Sequence, residues 1–540
     1  MIYPYENLNS YTLPSLLQRS IKLYPNNKFL GKVSKDIFTY KEFNDTVQKT
    51  IKLLKDNGIQ KGDKVLLLSE NIPQWAVAYF SVTYFGAIIV PILPDFHPAD
   101  IHRILEHSEV KAVFVSQKHL KTIKSYTGNL DFVIDLNSLT LIDSLSTCQK
   151  LNLNNQENSY IPQENDIASI IYTSGTTGNS KGVMLSHKNL VTNAMSAYIQ
   201  VSIQPDDIFL SILPLAHTLE STVGLIVPML HGSSIYYIDK VPTPSVLLKA
   251  FKIVRPTMMV SVPLIIEKIY KTKVLAQFNS SFITKNLYKI PFIRKQLNAI
   301  AGKKLLETFG GRLRFFGIWG AGISPFVEQF LIEAKFPFIV GYGLTETAPL
   351  LAGSILGKKI KYRSTGVAMA GVEIKIKNKD PKTGKGEIIA KSPSVMLGYY
   401  KDKEKTAEVM EDGWFLTGDL GYIDDEGYLF ISGRSKNVII GAGGENIYPE
   451  QIEAVINQNR YVTDALMLQK EHQLIAKINL NYDILDENMD ENKKIELLEE
   501  IRKDVNAQIS SFSRMVKFIE EKEPFIKTPT KKIKRYLYTE

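Results

Sequence analysis

The reading of this 540-residue chain turns on YTSGTTGNSKGVMLSH, Tyr172–His187. Apolar runs of strand character flank it, IASIIY at 167–172 and GVMLS at 182–186. Between them stand the hydroxyls of Thr173, Ser174, Thr176 and Thr177, the glycines Gly175 and Gly178, and Lys181. Glycine lets backbone N–H groups close on an anion. Hydroxyls donate hydrogen bonds, and the lysine adds one charge. The pattern suits a phosphate-holding loop between two strands; a ligand-free polar turn is the alternative from composition alone. Two phosphate loops do not fit. A Walker loop places glycine before the lysine and Ser or Thr after it, whereas here Ser180 precedes Lys181 and Gly182 follows. The dinucleotide pattern G-x-G-x-x-G is matched by none of GTTGNSKG, GYGLTET and GAGGEN.

Upstream of this loop, strand and helix patterns alternate. DKVLLLS (63–69), AIIVPILP (87–94) and KAVFVS (111–116) are short apolar runs fit for buried strands. LPSLLQRSIKLYP (13–25), NIPQWAVAYFSVTYFG (71–86) and ADIHRILEHSEV (99–110) have helical spacing. That order predicts an α/β domain on a largely parallel sheet. The polar stretch near 140–165 reads as a surface connection. At 417–440 the texture changes, with a turn at Asp424–Gly427 between strand-like runs. A shorter α+β pattern follows, with a charged amphipathic helix within 486–509 and a basic tail. The expected division is a large α/β domain over 1–435 and a small α+β domain over 436–540.

Composition narrows the function. With 44% hydrophobic and 22% charged residues, the chain can bury a large core and is not disordered as a whole. A net charge of +9 suits anionic small ligands or an acidic membrane surface. No nucleic-acid motif accompanies it, and no nucleic-acid partner is expected. The lone cysteine, Cys148, excludes an intrachain disulfide and points to a reducing compartment. It has no base beside it in sequence and reads as a bystander thiol. MIYPYENLNSYTLPS lacks the basic segment and apolar run of a secretory signal. No uncharged apolar run approaches the ~18 residues of a spanning helix. A cytoplasmic protein is expected, peripheral at most to the inner membrane face.

The loop at Thr173–Lys181 resembles the signature of the adenylate-forming superfamily, [YF]TSGTTGxPKGV, departing from it only at Ser180, where proline is usual. Further segments resemble that family in its own order: PLAHTLE (214–220), GAGISP (320–325), GYGLTET (341–347), DGWFLTGDLG (412–421), GRSKNVIIGAGGENIYPEQIE (433–453) and KTPTKKIKR (527–535). The resemblance covers nearly the whole chain. It implies a large α/β domain with a smaller mobile C-terminal lid, and acid activation with ATP, Mg²⁺ and coenzyme A.

The family's residue roles carry over as expectations. Thr173, Ser174, Gly175, Thr176, Thr177, Gly178 and Lys181 would hold the β- and γ-phosphates. Glu346 would bind Mg²⁺, a hard cation that takes carboxylate oxygen, and Thr345 would donate to the α-phosphate. Gly320, Ala321 and Gly322 would lie along adenine, with Tyr342 of the Gly341–Gly343 segment stacked on it. Asp419 would accept from the ribose hydroxyls and Arg434 would reach ribose or phosphate; a turn aspartate is the plain alternative for Asp419. Lys532 would be the mobile catalytic lysine. The family usually reads T-G-K-I, and this chain reads Thr530-Lys531-Lys532-Ile533, so Lys531 is the alternative register. Lys436 falls at the hinge, and Gly441, Gly443 and Gly444 would line the path of the pantetheine arm.

PLAHTLE is similar to the long-chain fatty-acid branch, with His217 near the mouth of an acyl channel; a core histidine in an apolar strand is the bland reading. The helical segment FNSSFITKNLYKIPFIRKQLNAIAGKKLLETFGG (278–311) resembles one that this branch carries. It is amphipathic and basic, fit for a surface helix pair or a membrane contact. Coenzyme A is the expected thiol, and acyl carrier protein, with the same pantetheine arm, is the alternative partner. A non-catalytic relative and an amine-directed adenylating module are the readings from other classes.

Overall fold

The computed structural model describes residues 8–35, 37–142, 160–173, 180–278, 281–441, 445–471, 473–485, 490–529 and 531–538. Ser174–Gly178, Gly443, Gly444, Cys148 and most of the polar connection lie outside these residues.

The strands Lys64–Leu68, Ile88–Ile92, Ala112–Val115 and Phe132–Asp135 run parallel in one sheet. They are buried almost throughout, as strands covered on both faces must be. Ile167–Thr173 continues this sheet, parallel to Ile88–Ile92. It then turns back on Lys181–Ser186 as an antiparallel pair, with Thr173 opposite Lys181. The opening stretch is thus a strand–loop–strand, as its flanks predict.

A second sheet has a parallel run of Lys28–Lys32, Ser234–Tyr237, Ile208–Ser211, Met258–Ser261, Phe315–Ile318 and Phe338–Gly343. The helix Pro73–Thr83 is apolar on all sides, with only Gln74 not buried. Such a helix belongs inside a core. Its Trp75 and Tyr79 join one apolar cluster with residues of both sheets, among them Val65 and Phe316.

A third, antiparallel sheet carries Glu373–Lys377, Gly386–Lys391, Trp414–Ile423 and Leu429–Arg434. The Asp424–Gly427 turn links its last two strands, with Asp424 Oδ1 accepting from the N–H groups of Glu426 and Tyr428. Asp419 sits inside the long strand Trp414–Ile423, opposite Arg434. The turn-like look of TGDLG comes from Gly418, at φ +70°, and from a register shift at Leu420/Gly421.

Beyond Lys436 a smaller unit forms around its own apolar core. Val462–Lys470 pairs antiparallel with Gln473–Leu480, and Lys517–Glu520 adds in parallel. The helices Pro449–Ile456 and Glu491–Asn506 contribute Ile452, Ile456, Leu498 and Ile501 to that core. No helix among the described residues is long and apolar enough to cross a membrane.

Candidate active site

Ligands of parallel sheets gather beyond the carboxyl ends of the strands. Three site segments leave the second sheet at such ends. Ile208–Ser211 leads to His217, Phe315–Ile318 to the exposed Gly320–Gly322, and Phe338–Gly343 to the short turn Thr345–Thr347. His217 lies in the bend before the helical segment Glu220–Ile226, and not on an apolar strand.

The Thr345–Thr347 turn is tightly held. Asn193 donates from Nδ2 to the carbonyls of Thr347 (3.1 Å) and Leu350 (2.9 Å), and its Oδ1 accepts from the Leu350 N–H. The Thr347 hydroxyl donates to the Pro349 carbonyl at 2.7 Å, and Thr218 Oγ1 reaches Thr345 Oγ1 at 3.4 Å. This bracing aims Glu346, whose Oε1 accepts from the Tyr399 hydroxyl at 2.9 Å. The Tyr399 ring also lies under Lys181, with Nζ 5.1 Å from its centroid. Tyr399 therefore couples the opening loop to Glu346, and no motif spacing signals it. Burial, then the cations Lys405 and Lys436, hold the Lys181 amine below its ordinary range, against the pull of Glu346 and Asp402. An incoming polyphosphate would relieve that crowding of positive charge.

Asp419 is buried, with one partner on each oxygen. Arg434 Nε forms an ion pair with Oδ1 at 2.8 Å, and the Tyr342 hydroxyl donates to Oδ2 at 2.6 Å. Burial pushes its carboxyl upward, opposed by Arg434, the Tyr342 hydrogen bond and Lys532. Carboxylate oxygens hold about four lone-pair sites, so acceptor capacity is left for a diol.

Lys531 and Lys532 diverge. The turn Thr528–Lys532 is closed by the Thr528 N–H on the Lys532 carbonyl at 2.8 Å, with Lys531 at φ +64°. Lys531 pairs at 3.3 Å with the exposed Asp95. Lys532 enters a cleft between the two units. The residue is exposed overall, yet the charges of Arg434, Asp419, Glu346 and Glu450 surround its amine. Burial there and the nearby Arg434 lower it from the ordinary lysine range, opposed by Asp419, Glu346 and Glu450. His217 is held down to about 4, by burial first and then by Lys532, and is a neutral imidazole at pH 7. Its Nδ1 accepts from the Leu219 N–H at 3.2 Å, which leaves the proton on Nε2.

Lys436, in the turn Ser435–Asn437, is exposed at the junction of the units. Gly441 closes a short hairpin through its N–H on the Glu445 carbonyl. Trp319 and Glu450 also escape the sequence. The buried indole of Trp319 lies flat over the sheet, so a Cβ on Gly341 would come within 1.5 Å of its Nε1. Glu450 faces Lys532 and is held by the Asn437 amide.

For a divalent cation, no three His, Cys, Asp or Glu side chains converge among the described residues. One carboxylate, Glu346, beside a polyphosphate site is the arrangement Mg²⁺ prefers, because it takes few protein ligands and completes its shell with phosphates and water. The donor set fits that ion.

A core of several sheets, a small C-terminal unit and a lysine set among Asp419, Glu346 and Arg434 define an adenylate-forming enzyme. The chain belongs to that family: residues 17–400 match the family model for the AMP-binding enzyme, and 436–539 that for the AMP-binding enzyme C-terminal domain. Long chain acyl-CoA synthetase 1 of Arabidopsis thaliana is 31% identical over 511 residues, covering 83% of this chain and 76% of the relative. 4-Coumarate–CoA ligase 2 of Nicotiana tabacum is 28% identical, covering 82% and 79%. The solved anthranilate CoA ligase, in complex with anthranoyl-AMP, superposes with a TM-score of 0.80 at 21% identity, over 98% of this chain and 96% of its own. Acyl-CoA synthetases of this family use ATP, Mg²⁺ and CoA.

Proposed function

We propose that this chain is an AMP-forming acid–thiol ligase that converts a long-chain fatty acid to its CoA thioester. The observation that carries the reading is the cleft where Lys532, Arg434, Asp419 and Glu346 face one another beneath the small unit. In the first step a carboxylate oxygen attacks the α-phosphorus of ATP, forming acyl-AMP and releasing pyrophosphate. In the second a thiol attacks the acyl carbon, the acyl–O bond breaks, and AMP leaves with the electron pair.

Each residue then has a task. Asp419 fixes the ribose through its spare lone pairs, and Tyr342 keeps that carboxylate aimed. Lys532 sits between carboxylate and α-phosphate as negative charge builds there, a preorganised cation in a partly dehydrated cleft. Thr345 donates to the α-phosphate. The Thr173–Lys181 loop takes the β- and γ-phosphates. Glu346 would hold Mg²⁺, which neutralises phosphate charge. Residues 1–435 would act as the body and 436–540 as the lid, with Lys436 at the hinge between half-reactions. The long-chain substrate is supported by PLAHTLE and by the long-chain relatives; aromatic-acid ligases of similar identity are what the assay must separate from it.

AMP release, measured with ATP, Mg²⁺ and acids of graded length with and without CoA, tests this. Multiple turnovers are expected only with a long-chain acid and CoA. A single-turnover burst with long acids, unrelieved by CoA, would turn the reading to acyl carrier protein as acceptor. Turnover with aromatic acids in place of fatty acids would overturn the substrate.

A further inference from the structure

The segment between Ser281 and Leu306 contains six Lys or Arg and no Asp or Glu. It folds as the helices Phe282–Leu287 and Pro291–Thr308. The longer helix turns inward Asn298, Gly302 and Leu305, which follow one another at helical spacing, with Leu297 and Leu306 half-buried beside them. Gly302 allows a close crossing: a Cβ there would lie 2.6 Å from the Ala334 carbonyl oxygen. Arg294 grips Glu333 at 2.8 Å, and Asn298 donates to the same carboxylate at 2.7 Å and accepts from the Tyr288 hydroxyl at 2.9 Å. Tyr288 stacks on Phe278 with centroids 4.5 Å apart. The unit is therefore anchored through a polar network, the close crossing at Gly302 and the leucines Leu297, Leu305 and Leu306. A second set of apolar side chains is left outside: Phe282 is 81% exposed, Ile283 69%, Leu287 38%, Ile290 47% and Phe292 73%.

Single exposed apolar residues are ordinary on a protein surface. Five within eleven residues of chain, on an anchored element and interleaved with exposed lysines such as Lys289 and Lys295, are not. We infer that this helical tip docks the enzyme on an anionic lipid bilayer, with the apolar side chains entering the interface and the lysines meeting lipid headgroups. Charge selects the occupant. A second copy would bring the same acid-free cationic segment against itself, since a two-fold contact repeats one patch on both sides. The inference concerns the surface alone and holds whichever acid the cleft takes.

Flotation of the full chain with vesicles decides it. The probes are phosphatidylcholine doped with phosphatidylglycerol, and phosphatidylcholine alone. Binding to the anionic vesicles, weakening with salt, is expected. The variant F282S/I283S/F292S should lose at least about tenfold in partitioning. K289E/K295E should lose about fivefold or more per site. Both variants should keep the far-ultraviolet circular dichroism and the vesicle-free AMP formation of the parent. Equal flotation of parent and variants, or no flotation of the parent, overturns the inference. Self-association of the parent that F282S/I283S/F292S abolishes, without vesicle binding, would assign the tip to a protein interface and overturn it equally.

Discussion

Replacing Lys532 by alanine removes one cation from a cleft where Asp419, Glu346 and Glu450 carry the carboxyl groups and Arg434 the other nearby positive charge. The loss is felt most when the α-phosphorus and the attacking carboxylate share additional negative charge. A preorganised donor at such a point contributes about 2.7–4 kcal/mol, or about 10²–10³ in rate. Lys532→Ala should therefore slow single-turnover pyrophosphate release by that factor. AMP release from a synthetic acyl-adenylate plus CoA should change little. Lys531 offers an internal control. Its exposed pair with Asp95 is of the kind contributing about 0–1 kcal/mol, so Lys531→Ala should cost less than about fivefold. The lowered amine of Lys532 further predicts that adenylation falls on the alkaline side at a lower pH than an ordinary lysine would give. A larger loss in Lys531→Ala, or equal losses in both half-reactions of Lys532→Ala, would refute the reasoning.

Tyr399→Phe deletes the hydroxyl that holds Glu346 Oε1; the Mg²⁺ concentration for half-maximal AMP formation should rise about 10–100-fold, and an unchanged Mg²⁺ dependence would contradict this. Gly341→Ala places a Cβ against the Trp319 indole and should cost about 1–3 kcal/mol in chemical denaturation, with part regained in G341A/W319L. Glu220 is 1% exposed, and burial raises its carboxyl to about 8 despite the Ser211 hydrogen bond, while an unfolded chain ionises it near 4.5. The unfolded state thus sheds a proton that the folded state keeps, and stability falls as pH rises between those values. Glu220→Gln cannot ionise, so its unfolding free energy from urea titration should gain on the parent from pH 5 to pH 8, by on the order of 4 kcal/mol; a pH-independent difference would contradict this.

The sequence carries what repeats locally. Buried apolar runs such as KVLLL and IIVPI can only be covered strands, and the hydroxyl–glycine loop with its flanks predicts a strand–loop–strand around Thr173 and Lys181. Contacts made far along the chain were hidden. Tyr399 meets Lys181 and Glu346 only because Gly398–Tyr399 pairs with Lys181–Ser186. Trp319 meets Gly341 only through the register of neighbouring strands. For Asp419, expected on the ribose, the turn-aspartate alternative arose because Gly418 stands beside it; the sheet holds it in a strand. The helix Pro291–Thr308 was legible as basic and amphipathic, but the face it buries mixes Asn298, Gly302 and Leu305, fixed by Glu333 and Ala334 from another helix and its end. Two adjacent lysines at 531 and 532 are equivalent in composition, and only the turn at Thr528 separates their directions.

Carboxylate oxygen labelling tests the central claim most directly. A fatty acid bearing ¹⁸O in its carboxylate is turned over with ATP, Mg²⁺ and CoA, and the nucleotide product is weighed by mass spectrometry. Attack on the α-phosphorus followed by thiol attack on the acyl carbon predicts AMP carrying one ¹⁸O atom. ADP with labelled inorganic phosphate, or AMP without label, would contradict an acyl-adenylate on the path.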